Sequence, residues 1–498
     1  MLNRTAGPAP GPFVIAMDIG SSGTRAGLYD ATGATVDGVR AKVSHTFTTD
    51  AEGTAVIDAD EVLAEVITAL DETTAKMPDG AAVAGVALDT FASSLVGVDA
   101  EGRATTPCFT YADTRCAPQV HQLRAEVDEL DLQQRTGTRL HTSYLPARLR
   151  WLAEEQPEVF AATDTWLSLG EYLYLHLIGT TAAGTATAAW TGLLDRRRGT
   201  WDPEVLELSG ITADQLSAVR DPDQPLTPVT SMVAERWPAL AQAVWFPVIA
   251  DGLAANLGVG ADRPGVVGVS AATSGAMRML VPEIPEHVPP GLWGYRISAD
   301  RTLFGGAVSD IGRVAFWAER TLRIENTEVL DDVLHAPPTV STPLVLPFLS
   351  GERSTGWAAE AQAHIVGLSA ATTPMQIYRG ALEGAALSLG RIARQLGSAA
   401  GAPQQILASG GMASGLPGWC QILADVLGAE VVHVRHRRST LRGTALLALQ
   451  ALAPDVPRSQ PETGQTFAPT PVRAGYYADR TDQFEQVYRA LVATGEES

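Results

Sequence analysis

A short apolar run, a turn of small residues and a second apolar run occur twice in this chain, and the repeat limits the folds open to it. The first copy runs Phe13-Val14-Ile15-Ala16-Met17, Asp18-Ile19-Gly20-Ser21-Ser22-Gly23-Thr24, then Arg25-Ala26-Gly27-Leu28-Tyr29. The second runs Val266-Val267-Gly268-Val269-Ser270, Ala271-Ala272-Thr273-Ser274-Gly275-Ala276, then Met277-Arg278-Met279-Leu280. Ser21-Ser22-Gly23 and Thr273-Ser274-Gly275 lie 252 residues apart, about half of the 498-residue chain, and an Arg follows each. Both read as β-hairpins. Their turns let backbone N–H groups and hydroxyls converge on an anion, because no bulky side chain stands in the way. An ordinary hairpin turn has the same composition, and short Ser/Gly turns also recur by chance. A true duplication predicts two similar domains facing one cleft, with phosphates between the turns.

Strand-like and helix-like segments alternate along the rest of the chain. Periodicity predicts helices over 60–75, 145–155, 167–178, 374–396, 416–427 and 443–452, and strands over 82–88, 95–98, 405–408 and 430–434. The Pro/Asp-rich stretch 221–228 reads as a surface loop. Such alternation indicates α/β layers, with a domain boundary expected near 250–260.

Charge and composition exclude several function classes. A net charge of −20, from 36 basic and 56 acidic residues, repels a phosphate backbone, so nucleic acid is not an expected partner. The basic run His433-Val434-Arg435-His436-Arg437-Arg438 reads as a solvated turn. Only Lys42 and Lys76 are lysines. Neither follows the last Gly of a GxxxxGK[ST] loop or sits in a VAIK-like strand, so any nucleotide chemistry proceeds without a lysine clamp. Cys108, Cys116 and Cys420 form no CxxC pair, which fits a reducing compartment. Residues 1–10 carry no signal-peptide core, and no stretch of about 18 apolar residues occurs, so a cytoplasmic protein without a membrane partner is expected.

Several residues have two chemical readings. Asp251 ends the apolar run Val248-Ile249-Ala250 and opens a helix, where an Asp serves as an N-cap or as the acceptor of a hydroxyl proton. Asp18 follows a strand, as an Asx-turn residue or as a Mg²⁺ partner beside phosphates. Ser409-Gly410-Gly411-Met412 joins a strand to a helix, either as a plain connection or as backbone open to a flat ligand. Tyr111-Ala112-Asp113-Thr114-Arg115 could grip a polyhydroxylated molecule or form a salt bridge. The same two readings apply to Gly351-Glu352-Arg353. The cysteines and nine histidines show no ligand spacing for a transition metal.

Taken together, these segments resemble the FGGY family of carbohydrate kinases from about residue 13 to about 450. The carriers are the Asp18–Arg25 hairpin, Tyr111–Arg115, Asp251-Gly252, Thr273-Ser274-Gly275, Gly305-Gly306-Ala307, Gly351-Glu352-Arg353, Leu382-Glu383-Gly384 and Ser409-Gly410-Gly411. Leu140–Tyr144, Trp190–Asp195 and Thr273–Arg278 are most similar to the gluconokinase branch. The resemblance implies two ribonuclease-H-like domains of the actin/hexokinase type around a central nucleotide/sugar cleft. Residues 1–12 would be a flexible N-terminus. Residues 13–252 would hold the sugar pocket and first phosphate loop, and 253–498 the nucleotide site. It also implies transfer of the γ-phosphoryl group of ATP, with Mg²⁺, to a hydroxyl of a sugar acid or related polyol, gluconate being the best single candidate. A homodimer is one state it allows. Asp251 matches the general base against the acceptor, and Asp18 the carboxylate that helps place the metal. Gly20, Ser21, Ser22, Thr24 and Arg25 match the first phosphate loop, Thr273 the second, and Gly312, Gly411 and Gly415 positions around the nucleotide. Ser93, Tyr111, Asp113 and Ser143 match the sugar pocket.

The chain also departs from the pattern. Phe91-Ala92-Ser93-Ser94 stands where gluconokinase-like members carry Phe-Trp-His-Ser, Tyr111 replaces a Trp, Ala272 a Gly, and Asp310-Ile311 an Asn-Gly. The altered sugar side leaves a pentulose, cyclitol or specialised-metabolite acceptor open. Ala272 leaves open a catalytically weak nucleotide- or sugar-binding homologue.

Overall fold

The computed structural model of the protein describes residues 11–435 and 438–492. Residues 1–10 of the expected flexible N-terminus, and His436-Arg437 of the basic run, lie outside the described residues. The chain divides into two compact units. The first holds the residues up to Gly258, Tyr295–Thr302 and Arg438–Gln460; the second holds Val259–Gly294, Leu303–Arg437 and the residues from Pro461 onward.

In chain order the first unit contains β1 (Phe13–Gly20), β2 (Gly23–Tyr29), β3 (Thr35–Val43), α1 (Ala59–Ala75), β4 (Val83–Thr90), α2 (Leu145–Glu155), α3 (Leu169–Ile178), β5 (Val244–Trp245), β6 (Ile249–Ala250) and α4 (Asp251–Gly258). The helix Ser439–Leu452 belongs to this unit too. Its sheet runs β5-β4-β1-β2-β3, with β6 also on β4. β1 pairs antiparallel with β2 and parallel with β4, and β5 and β6 are both parallel to β4.

Strand alternation sorts the β1 side chains onto two faces. Ile15, Met17 and Ile19 share a core with Val62, Val66 and Leu70 of α1. Val14 and Ala16 meet Leu441, Ala445 and Leu449 of Ser439–Leu452. Burial on both faces is why this strand reads as an unbroken apolar run. Helices α4 and Ser439–Leu452 cross backbone to backbone: a Cβ at Gly258 would overlap the Ser439 carbonyl, and one at Gly443 the Ala254 carbonyl.

The second unit contains β7 (Val266–Ala271), β8 (Gly275–Val281), the first two residues of β9 (Trp293–Ser298), β10 (Arg301–Val308) from Leu303 onward, α5 (Gly312–Thr321), α6 (Pro374–Ala400), β11 (Gln405–Ser409), α7 (Gly411–Gly415), α8 (Pro417–Leu427), β12 (Glu430–Val434) and β13 (Thr463–Phe467). Its own strands run in the order β10-β8-β7-β11-β12-β13. The inner order β10-β8-β7-β11-β12 repeats β3-β2-β1-β4-β5 of the first unit, with the same antiparallel first pair and parallel later strand. Helix α6 is started by Thr373 and Gln376 in a reciprocal capping box with Pro374 at its first position. It buries Tyr378, Leu382, Leu389 and Leu396 against Val267, Val269 and Met277 of the sheet.

Several expected boundaries shift for local reasons. The long first turn shrinks to Ser21-Ser22, because pairing continues through Asp18↔Arg25 to Gly20↔Gly23. The second turn is 272–274, closed by Ala271↔Gly275. Helix α3 begins at Leu169 because Ser168 caps it together with Glu171. The residue before a proline disfavours helical backbone, so Leu416 (φ −132°) separates α7 from α8. Among the described residues, no helix is long and apolar enough to cross a membrane.

Candidate active site

Three carboxylates gather where adjacent parallel strands of the first unit end. Asp18 of β1 lies opposite Asp89 of β4, and Asp89 lies opposite Ile249 of β6, two residues before Asp251. Ligands of open α/β sheets bind at such carboxyl ends. Asp18 is buried and accepts from Arg25 Nη1 at 3.0 Å and from the Thr440 hydroxyl at 3.2 Å. Asp89 is fully buried and accepts from the Thr444 hydroxyl at 2.5 Å through Oδ2, while Oδ1 has no hydrogen-bond partner. Burial, and then the charge of Asp18 beside it, push the Asp89 carboxyl well above the usual carboxylate range, and Asp251 adds to the effect. Asp251 is half-buried at the first position of α4, so it opens that helix from within.

Thr440 and Thr444 stand one turn apart on Ser439–Leu452, which aims its N-terminal turns at this acidic group. Hard oxygen donors of this kind suit Mg²⁺, which takes one or two carboxylates together with phosphate oxygens. No cluster of three or more His, Cys, Asp or Glu among the described residues is arranged to hold a metal unaided.

The first small-residue turn sits beside Asp18. Ser21 and Ser22 are exposed, and Arg25 joins Asp18 to the Ser22 hydroxyl, 3.3 Å from its Nη2. Thr24, by contrast, is fully buried and donates its hydroxyl to Glu65.

The expected sugar-side residues also lie in the first unit, and Arg148 of α2 ties their segments together. Its guanidinium donates to the carbonyls of Ser93 (3.1 Å), Asp113 (3.2 Å) and Thr142 (2.9 Å). It is fully buried, and burial lowers its pKa. Ser93 adopts a left-handed backbone (φ 57°) and donates its hydroxyl to the Trp190 carbonyl at 2.6 Å. Both Asp113 oxygens accept from Arg115, and Oδ2 also takes the Ala55 N–H at 3.0 Å. Asp113 and Arg115 thus form a salt bridge, with Arg115 lying 4.6 Å over the Trp151 ring. Ser143 is buried beside His141 Nδ1 at 3.1 Å. Tyr111 is partly exposed and meets Phe91 edge-on. Trp190 stacks on Tyr295 at 3.7 Å, and Tyr295 shares a 2.7 Å hydrogen bond with Tyr144.

The second unit holds the remaining candidates. Thr273 is exposed in the 272–274 loop. That loop is tied through its backbone: the Ala272 carbonyl accepts from Gly312 N–H at 2.8 Å, and the Thr273 carbonyl from Ile311 and Arg313 N–H at 3.1 and 3.0 Å. A Cβ on Gly312 would come within 2.6 Å of the Ala272 oxygen, so only glycine fits this approach. Gly411 and Gly415 begin and end α7, where a Cβ would meet nothing within 4 Å. Asp310 is buried and accepts from Ser350 N–H and hydroxyl, both at 2.9 Å. Burial raises its pKa.

Sequence reasoning did not reach Asp89, Arg148, Thr440 or Thr444. A signal existed for Asp89 alone, since it ends an apolar strand just as Asp18 does.

The profile of the N-terminal domain of the FGGY family of carbohydrate kinases matches residues 13–258, and that of the C-terminal domain matches residues 268–452. The chain therefore belongs to the FGGY family of carbohydrate kinases, as an ATP-dependent phosphotransferase with an alcohol group as acceptor. It is 25% identical over 459 residues to the gluconokinase of Bacillus subtilis (strain 168), covering 88% of this chain and 87% of the relative. It is 27% identical over 473 residues to an autoinducer-2 kinase of Yersinia enterocolitica, covering 88% of this chain and 86% of the relative. A crystal structure of gluconate kinase from Lactobacillus acidophilus matches with a TM-score of 0.88 at 26% identity, over 97% of this chain and 98% of that one. The two-domain α/β fold is that of FGGY sugar kinases, of the actin/hexokinase type expected from the sequence.

Proposed function

We propose that this chain transfers the γ-phosphoryl group of ATP to a hydroxyl of a sugar acid, gluconate being the leading acceptor. The observation that carries the chemistry is the half-buried Asp251 at the end of the strand row that also ends in Asp18 and Asp89. Asp251 accepts the proton of the acceptor hydroxyl as its oxygen bonds to phosphorus and the bond from phosphorus to ADP breaks. Asp18, oriented by Arg25 and Thr440, would hold Mg²⁺, which when bound neutralises charge on the phosphates. Gly20, Ser21, Ser22 and Arg25 take phosphate oxygens in the first unit, as Thr273 does in the second. Gly312, Gly411 and Gly415 leave room for the nucleotide.

Two observations support a sugar acid: the gluconokinase likeness, and the buried Arg148 cation behind the Ser93, Asp113 and Ser143 segments. A second reading, another polyol or pentulose, is favoured by Ser93, whose hydroxyl proton is already given to Trp190. A coupled ADP-release assay with Mg-ATP against aldonates, pentuloses, polyols and cyclitols separates them. Release with gluconate or a close aldonate supports the first reading, and release with a neutral polyol alone supports the second. Silence across the panel despite ATP binding would overturn both.

A further inference from the structure

The first phosphate turn is held from two sides, and only one of them belongs to the chemistry described so far. On the face towards Ser439–Leu452, Arg25 links Asp18 to Ser22. On the face towards α1, His45 and Glu65 form a closed network with the two ends of the turn. Glu65 Oε2 lies 2.9 Å from the Thr24 hydroxyl and 2.7 Å from His45 Nδ1, and His45 Nε2 lies 2.8 Å from the Gly20 carbonyl oxygen. Both side chains are largely enclosed, with 6% and 14% of their surface exposed for His45 and Glu65. The imidazole also lies nearly parallel to the Phe47 ring, at 6.3 Å and 17°. Both ring nitrogens face oxygens, and since a backbone carbonyl can only accept, Nε2 is the donor of the bond to Gly20.

The Gly20 carbonyl and the Ser21 N–H belong to one planar trans peptide and point in opposite directions. Fixing the carbonyl inward on His45 therefore fixes the Ser21 N–H outward, on the exposed side of the turn. Gly20 is the last residue of β1 and pairs with Gly23, so the hairpin holds this peptide on one side and His45 holds it on the other. We propose that His45 is a positioning residue for nucleotide binding: it locks the Gly20–Ser21 peptide so that the Ser21 N–H faces the phosphates, while Glu65 anchors the other end of the turn through Thr24. This rests on Gly20–Arg25 being the turn that takes nucleotide phosphates.

Two isosteres separate this role from plain packing. In His45→Gln the side-chain amide reaches as far as Nε2 and can still donate to the Gly20 carbonyl. In His45→Asn it reaches only as far as Nδ1 and can serve only Glu65. ADP binding in Mg²⁺ by calorimetry should weaken about tenfold in His45→Asn and stay within about threefold of wild type in His45→Gln. The KM for ATP should follow the same order, with KM for the acceptor and Tm unchanged. Equal ADP affinities in the two folded variants, whether wild-type-like or weakened, would overturn the role of His45. Failure of the wild-type chain itself to bind ADP would instead overturn the phosphate-turn reading. Should either histidine variant not fold, Thr24→Val keeps the buried shape and removes the hydroxyl given to Glu65. Weaker ADP binding in that variant supports the brace, and wild-type affinity refutes it.

Discussion

The two small-residue loops occupy the same place in two sheets of the same strand order, yet they are held by different means. In the first unit the turn is tied by side chains: Asp18, Arg25 and Ser22 on one face, Thr24, Glu65 and His45 on the other. In the second unit the 272–274 loop is tied by its own carbonyls to the N–H groups of Ile311, Gly312 and Arg313. One hairpin is thus specified by what its residues carry, the other by where the backbone can go. Changing a functional group should hurt the first, and adding bulk should hurt the second.

The largest expected effect tests whether the first unit carries the chemistry. Asp251→Asn keeps the size of the side chain and removes the base, so kcat should fall by about 10²- to 10⁴-fold with ADP affinity little changed. A loss under tenfold would remove Asp251 from proton transfer. Next comes the steric half of the comparison. Gly312→Ala brings a methyl within 2.6 Å of the Ala272 carbonyl oxygen and should raise the KM for ATP by about tenfold while lowering Tm. Ala272→Gly, at an exposed position, should change KM by less than about threefold. Equal effects of the two substitutions would contradict a backbone-held loop.

A smaller effect concerns Asp310, whose pKa burial raises. The folded state then holds this proton to higher pH than the unfolded state. Its contribution is fully present below 3.8, the ordinary value of an Asp carboxyl, and is lost as pH rises through the raised folded value. Asp310→Asn abolishes that loss and keeps an acceptor for Ser350, so Tm of the variant relative to wild type should climb as pH rises above 3.8. A flat difference would show that folding does not raise the Asp310 pKa. Smallest of all is the thiol chemistry. Cys108 and Cys420, one in each unit, are both pushed up to about 12 by burial, and Cys116 is raised as well. None should react with an aromatic disulfide at pH 8 in the native protein. In rising denaturant, the order in which Cys108 and Cys420 become labelled reports which unit opens first.

What the sequence revealed followed from how local each feature is. Helix α2 and strand β12 keep the bounds that periodicity predicts, because an apolar stripe and neighbouring turn residues fix both ends. The paired hairpins were legible for the same reason. The length of the first turn was not, since it depends on how far pairing with β2 continues. Asp18 and Asp251 could be singled out because each sits at a strand end beside small residues. Asp89 becomes meaningful only once β1, β4 and β6 lie side by side. Arg148 gathers carbonyls from positions 93, 113 and 142, and His45 closes a network with Gly20 and Glu65. No window of sequence contains those sets. The same holds for Thr440, which reaches Asp18 across 422 positions.

That last distance bears on how the protein is made. The helix Ser439–Leu452 covers one face of the first sheet, supplies hydroxyls to Asp18 and Asp89, and crosses α4 where glycines let the backbones touch. A ribosome adding about 5–20 residues per second delivers the first 258 residues well before that helix appears. During this interval the sheet face of Val14, Ala16 and Ala87 has no cover, and the acidic strand ends lack their threonines. The nascent chain therefore passes through a stage in which its second unit can begin to fold while its first cannot finish.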